Sequence, residues 1–178
     1  MFFMLLFCTI DAFFWTIGPL LAESGEFGIF GGFLLVVYTL PVLFMGWFVG
    51  GITTKFGKKT IIFAAMILGS LILSLLWFEP HAWLIMTLVL LAAGFFSLAF
   101  TSIEGFYADY IAQNRNFEQE TQGLIDLFYN LGWIIGPILG GLLSGRAGNL
   151  KGFGLLGFFS LAVTLLIVKS LDKRKLKN

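Results

Sequence analysis

Three carboxylates interrupt long apolar runs: Asp11 in "MLLFCTIDAFFWTIG", Glu104 in "LAFTSIEGFYADY" and Asp126 in "GLIDLFYNLGW". An isolated charge in hydrocarbon costs at least about 2.5 kcal/mol, so each of these groups needs a partner, a proton or a water-filled cavity. Asp11 is the deepest. It has Thr9 beside it and Gly18-Pro19 further along the same run, which makes it the first candidate for handling a proton or a small-molecule substrate. A hydrogen-bonded aspartate that only secures packing is the competing reading. Asp126, Asn130 and Trp133 recur at helical spacing and share one face. Asp126 enters its run by only about one turn, which suits an interhelical hydrogen bond or a gate. Glu104 continues a polar stripe through Ser97 and Thr101, and Tyr38 and Thr39 precede Pro41. A metal centre lacks material, since the chain has one cysteine, Cys8, and one histidine, His81. No cofactor motif is present, and a Walker loop and HExxH are both absent.

These groups sit in a chain written for lipid. It has 178 residues, 58% of them hydrophobic and 12% charged, with 22 phenylalanines. Too few charges remain to coat a soluble core. Six runs are long enough to cross a bilayer, at about 2–22, 27–53, 60–78, 82–110, 121–144 and 152–170, followed by a basic tail at 171–178. Runs of this length predict helices, because barrel strands alternate in polarity and need only about ten residues. The fold expected is an all-α membrane bundle forming a single unit. The first run lacks a basic leader and carries Asp11, so it reads as a true span and not as a signal peptide.

Charge sets the orientation. Nine of the eleven lysines and arginines fall on one side: Lys55, Lys58, Lys59, Arg115, Lys169, Lys173, Arg174, Lys175 and Lys177. Arg146 and Lys151 lie on the other side, with Glu23, Glu26 and Glu79. The positive-inside bias therefore predicts that both termini face the cytoplasm. Trp77 and Trp83 flank the outer Glu79-Pro80-His81 turn, where interfacial aromatics belong. No basic patch of the kind that binds nucleic acid is present.

Three motifs carry more than topology. "GGITTKFGKKT" places Gly50, Lys55, Gly57, Lys58 and Lys59 in a tight turn between the second and third runs. "NLGWIIGPILGGLLSG" on the fifth run spaces Gly132, Gly136 and Gly140 four apart, with Pro137 and Gly141 adjoining. Such spacing lets helix backbones approach closely, and the proline removes a ladder hydrogen bond. "GFYADYIAQNR" ends the fourth run with Asp109 and, six residues on, Arg115. Together these resemble the major facilitator superfamily: its GxxxD(R/K)xG(R/K)(R/K) loop, its GxxxGPxxGG fifth-helix motif, and its acid-then-arginine arrangement after the fourth helix. Thr54 stands where the family's loop has aspartate.

The resemblance implies one six-helix half, built as 3+3 inverted repeats, of a twelve-helix transporter in the plasma (inner) membrane. The second and fifth runs, each carrying a proline and paired glycines, are consistent with such a repeat. The degraded loop motif, the abrupt apolar start and the short basic tail suggest the C-terminal half, with a second six-helix bundle as partner. In the family the first and fourth helices of each half line the central cavity, which by resemblance gives Asp11 the substrate or proton role. Lys55, Lys58 or Lys59 would pair with Asp109 or Glu104 as a conformational latch. Secondary active, proton-coupled transport by alternating access is the leading expectation. An inactive fragment, a half-transporter that dimerises and a channel-like pore are the alternatives. An intramembrane protease fails for want of a histidine at depth.

Overall fold

In a computed structural model the chain is a bundle of six long helices, and no strand occurs among the described residues. The structure describes residues 1–24, 27, 31–79 and 81–175, the last five by backbone alone. Glu26, Pro80 and the basic side chains of the tail lie outside the described residues. The helices are α1 (Phe2–Glu23), α2 (Gly31–Phe56), α3 (Lys58–Ser74), α4 (Ala82–Gln113), α5 (Glu118–Ala147) and α6 (Asn149–Lys175). A short 3-10 turn, Leu75–Phe78, prolongs α3, and another, Arg115–Phe117, leads into α5. All six are long and apolar enough to cross a membrane. At 1.5 Å per residue, α4 reaches roughly 48 Å and α5 roughly 45 Å, so both overrun a hydrocarbon core of about 30 Å. Their polar ends meet beside the short turn that joins them.

Two hairpins turn on a single glycine each. Gly57 (φ +82°) separates α2 from α3, and Gly148 (φ +91°) separates α5 from α6. Only a residue without a Cβ adopts such angles cheaply. The amide of Gly57 closes α2 on the Thr53 carbonyl at 2.9 Å, while its own carbonyl accepts from Ile61 at 3.2 Å to open α3. Gly148 does the same between Ser144 (2.9 Å) and Gly152 (2.8 Å). Equivalent turns three helices apart are what a 3+3 repeat requires, and the packing agrees. The α1 helix packs most extensively on α5, and α2 packs heavily on α4. Exchanging helices 1, 2 and 3 for 4, 5 and 6 converts the first pairing into the second, so each triplet lends its second helix to the other.

The α1–α5 contact is a backbone seam. A Cβ placed on Gly132 would lie 2.5 Å from the Cys8 Cβ and 2.8 Å from the Leu5 carbonyl oxygen. One on Gly136 would meet the Ala12 Cβ at 2.5 Å and the Thr9 oxygen at 2.7 Å. Gly140 approaches Ile17 less closely, at 3.1 Å. Small residues on both helices, Cys8 and Ala12 facing Gly132 and Gly136, let dispersion contacts replace the hydrophobic drive that lipid does not supply. A second seam joins α3 to α6. Gly154 and Gly157 press on the backbone of Trp77 and Ser74, and the Ser160 hydroxyl donates to the Ser70 hydroxyl at 2.8 Å.

Candidate functional site

Asp11 stands on α1 among residues spaced one turn apart: Phe3, Phe7, Asp11 and Trp15 form a single stripe. Neighbouring helices bring further rings to this stripe. The Tyr38 hydroxyl, from α2, donates to Asp11 Oδ1 at 2.7 Å. The Tyr38 ring stacks on Phe14 with centroids 3.5 Å apart and planes 10° from parallel, and the Trp15 edge meets it at 6.3 Å. One turn toward the start of α1, Phe7 stacks on Phe100 of α4 at 4.6 Å. Phe14 is buried and leans on Phe153 of α6, so the ring that positions Tyr38 is itself held by the core. Asp11 is half-buried, and no lysine or arginine pairs with it.

A second acidic region opens between the ends of α4 and α5. A cavity of about 370 Å³ there is lined by Glu104, Tyr107, Gln122, Asp126 and Tyr129, together with Met4 of α1. Gln122 Nε2 donates to Asp126 Oδ1 at 2.9 Å. Asn130 Nδ2 donates to the Asp126 backbone oxygen at 2.7 Å and does not engage the carboxylate. Glu104 and Asp126 face the same space, where their charges repel. Thr101, expected to extend the polar stripe to Glu104, donates its hydroxyl to the Ser97 carbonyl one turn back, at 2.9 Å.

The basic turn sits beside this region. Lys58 Nζ lies 2.6 Å from Asp109 Oδ2 and donates to the Gly105 carbonyl at 2.9 Å, tying the start of α3 to the end of α4. Lys59 lies over the Phe106 ring at 5.3 Å and Lys55 over Phe56 at 5.1 Å. Neither reaches Glu104. Thr54 donates to the Gly51 carbonyl at 2.9 Å, a bond within its own helix, and Arg115 in the 3-10 turn forms no ion pair among the described residues. Gly50 has open space where a Cβ would be, as does Gly141 on α5. The seam thus takes Gly132, Gly136 and Gly140, while Gly141 faces outward beside Pro137. Among the described residues the only other ion pair, Lys151 with Glu79 at 3.3 Å, is at the opposite end of the bundle.

The α5 helix shows how these pieces relate. Its buried edge is Thr121, Ile125, Gly132, Gly136 and Gly140, and an exposed apolar stripe runs through Leu124, Leu131, Ile138 and Leu142. Between them lies an exposed stripe of Asp126, Asn130, Trp133, Pro137 and Gly141. Polar groups on that stripe are unsuited to lipid.

A bundle of six spanning helices with glycine seams, single-glycine hairpins and unpaired carboxylates fits a family model that matches residues 1–178 in full, that of the Major Facilitator Superfamily. The chain belongs to the Major Facilitator Superfamily. Comparison with curated proteins and with solved structures returned no match. Membership of the Major Facilitator Superfamily makes this a multi-pass membrane protein of a transporter family, with lipid around it and small solutes as the family's cargo. Within that frame two contributors escaped the sequence reading. Gly148 was not singled out as a hairpin residue, although "RAGN" between two apolar runs is its signal. The Phe7–Phe100 and Phe14–Tyr38 stacks had no signal, because in a chain with 22 phenylalanines no single ring stands out.

Proposed function

We propose that this chain is the C-terminal six-helix half of a secondary active transporter, which moves a small solute by alternating access and couples that movement to protons through Asp11. The observation that carries the reading is the Asp11–Tyr38 pair: a carboxylate within a spanning helix, held at 2.7 Å by a hydroxyl from the neighbouring helix and left without a cationic partner. Such a group must be solvated, protonated or matched by a ligand charge. Neutralising it lowers the cost of enclosing it away from water, which links proton binding to the change of state.

The exposed faces of α2 and α5, the two least buried helices, support a second bundle as partner, either the N-terminal half or another copy. Lipid suits the Leu131 stripe of α5, and a wet interface suits the Asp126–Asn130 stripe. Lys58 and Asp109 form a latch at the cytoplasmic end in this reading, with Gly57 as its pivot and Lys55, Lys59 and Arg115 as neighbouring charges. Exposed pairs contribute about 0 to 1 kcal/mol, enough to bias a balance of a few kcal/mol between two states. Both termini face the cytoplasm and the membrane is the plasma (inner) membrane.

The test is Asp11→Asn in the complete transporter, with uptake measured in the presence and absence of a proton gradient. The expected result is uptake that no longer responds to the gradient; a response equal to the native protein's removes Asp11 from the coupling.

A further inference from the structure

We infer that the solute is an organic cation with aromatic or apolar faces, bound at Asp11 against the rings around it. The inference rests on the transporter reading above and specifies its substrate class. Three sets of observations converge on it.

Charge comes first. The described carboxylates that are ion-paired, Asp109 and Glu79, lie at the two ends of the bundle. Those along the spans, Asp11, Glu104 and Asp126, have no lysine or arginine partner. The cavity lined by Glu104 and Asp126 and the surroundings of Asp11 are therefore negative with no fixed counter-charge, which attracts a cation and repels an anion.

Donors and acceptors come second. The hydroxyls near the site do not point into open space: Thr9 donates to Leu5, Thr16 to Ala12, Thr39 to Leu35 and Val36, each within its own helix. A polyhydroxylated neutral solute would find few free partners. A metal ion would find no group of three ligating side chains among the described residues.

Ring faces come third. Ring pairs lie along α1 on either side of the carboxylate, Phe7 with Phe100 one turn toward the start of the helix and Trp15 with Tyr38 at and beyond it, and Trp15 is 43% exposed. A desolvated cation is attracted to the negative face of such rings. Glu104 and Asp126 in the 370 Å³ cavity then form an acidic vestibule on the cytoplasmic side of the site.

The experiment uses the complete transporter in lipid nanodiscs and two probes of equal size and shape but opposite charge, tetraphenylphosphonium and tetraphenylborate, with empty nanodiscs subtracted. Saturable binding of tetraphenylphosphonium, at least about tenfold tighter than tetraphenylborate, is expected. Asp11→Asn should abolish that preference and Asp11→Glu should restore most of it, while Trp15→Leu should weaken binding about three- to tenfold. Equal affinity for the two probes, or undiminished tetraphenylphosphonium binding by Asp11→Asn, overturns the cation class. If that happens while Asp11→Asn in the complete transporter still loses its response to the proton gradient, the cation class falls and the transporter reading stands. Gradient-coupled uptake that survives Asp11→Asn counts against the coupling role whatever the probes do.

Discussion

The Asp11–Tyr38 contact is where residue chemistry makes the sharpest statement about this protein. Interhelical hydrogen bonds in membranes average about 0.6 kcal/mol, while a bond to an ionised acceptor contributes about 1.5 to 3 kcal/mol. A double-mutant cycle of Asp11→Asn and Tyr38→Phe, read by thermal unfolding in detergent, therefore reports the state of the carboxyl. A coupling above about 1.5 kcal/mol is expected for a charged Asp11. Because the amide oxygen introduced by Asp11→Asn can still accept from Tyr38, a value indistinguishable from zero would mean that Asp11 is neutral in the folded protein. The presence of Asp11 in an apolar run was plain from the sequence. Its partner was not, because Tyr38 is 27 positions away and only the α1–α2 contact brings the two together.

Among the helices, glycines divide into those that permit contact and those that permit a turn. At Gly136 a methyl group would sit 2.5 Å from the Ala12 Cβ and 2.7 Å from a backbone oxygen that has no flexible end to move. Gly136→Ala should thus push α1 from α5 and cost about 1 to 3 kcal/mol, the usual range for overpacking. Gly141→Ala, with open space at its Cβ, should leave the unfolding temperature of the chain within error. Equal losses at the two positions would mean that α5 is rotated from the orientation described. Gly148 offers a different check: its φ of +91° and ψ of 159° lie in a region only glycine adopts freely and cost an L-residue about 1 to 3 kcal/mol, so Gly148→Ala should lower the unfolding temperature although nothing lies near it. An unchanged unfolding temperature would mean that the α5–α6 turn is made another way.

For the bundle as a whole the open question is which outward surface meets water. Asn130 and Leu131 are neighbours in the chain and lie at nearly the same depth, but on different exposed stripes of α5. Cysteine placed at Asn130 in the complete transporter should react with a membrane-impermeant thiol reagent, and cysteine placed at Leu131 should not. Cys8 does not compete, since it is wholly buried in the α1–α5 seam. Faster reaction at position 131 would turn the polar stripe toward lipid and remove the support for a wet interface with a second bundle.

Six helices, their membrane setting and the family resemblance were legible in the chain because each depends on local quantities: run length, the spacing of glycines and the placement of lysines. Helices satisfy their own backbone groups, so a long apolar run commits to a span without reference to the rest of the fold. Partnerships depend on distance in space and could not be read this way. That Lys58, rather than Lys55 or Lys59, takes Asp109, that Gly141 leaves the seam, and that Thr101 turns back on Ser97 are consequences of helix rotation. Rotation is set by which small residues let two backbones meet, here Cys8 and Ala12 against Gly132 and Gly136. A one-residue slip of about 100° would have assigned each of those side chains a different neighbour.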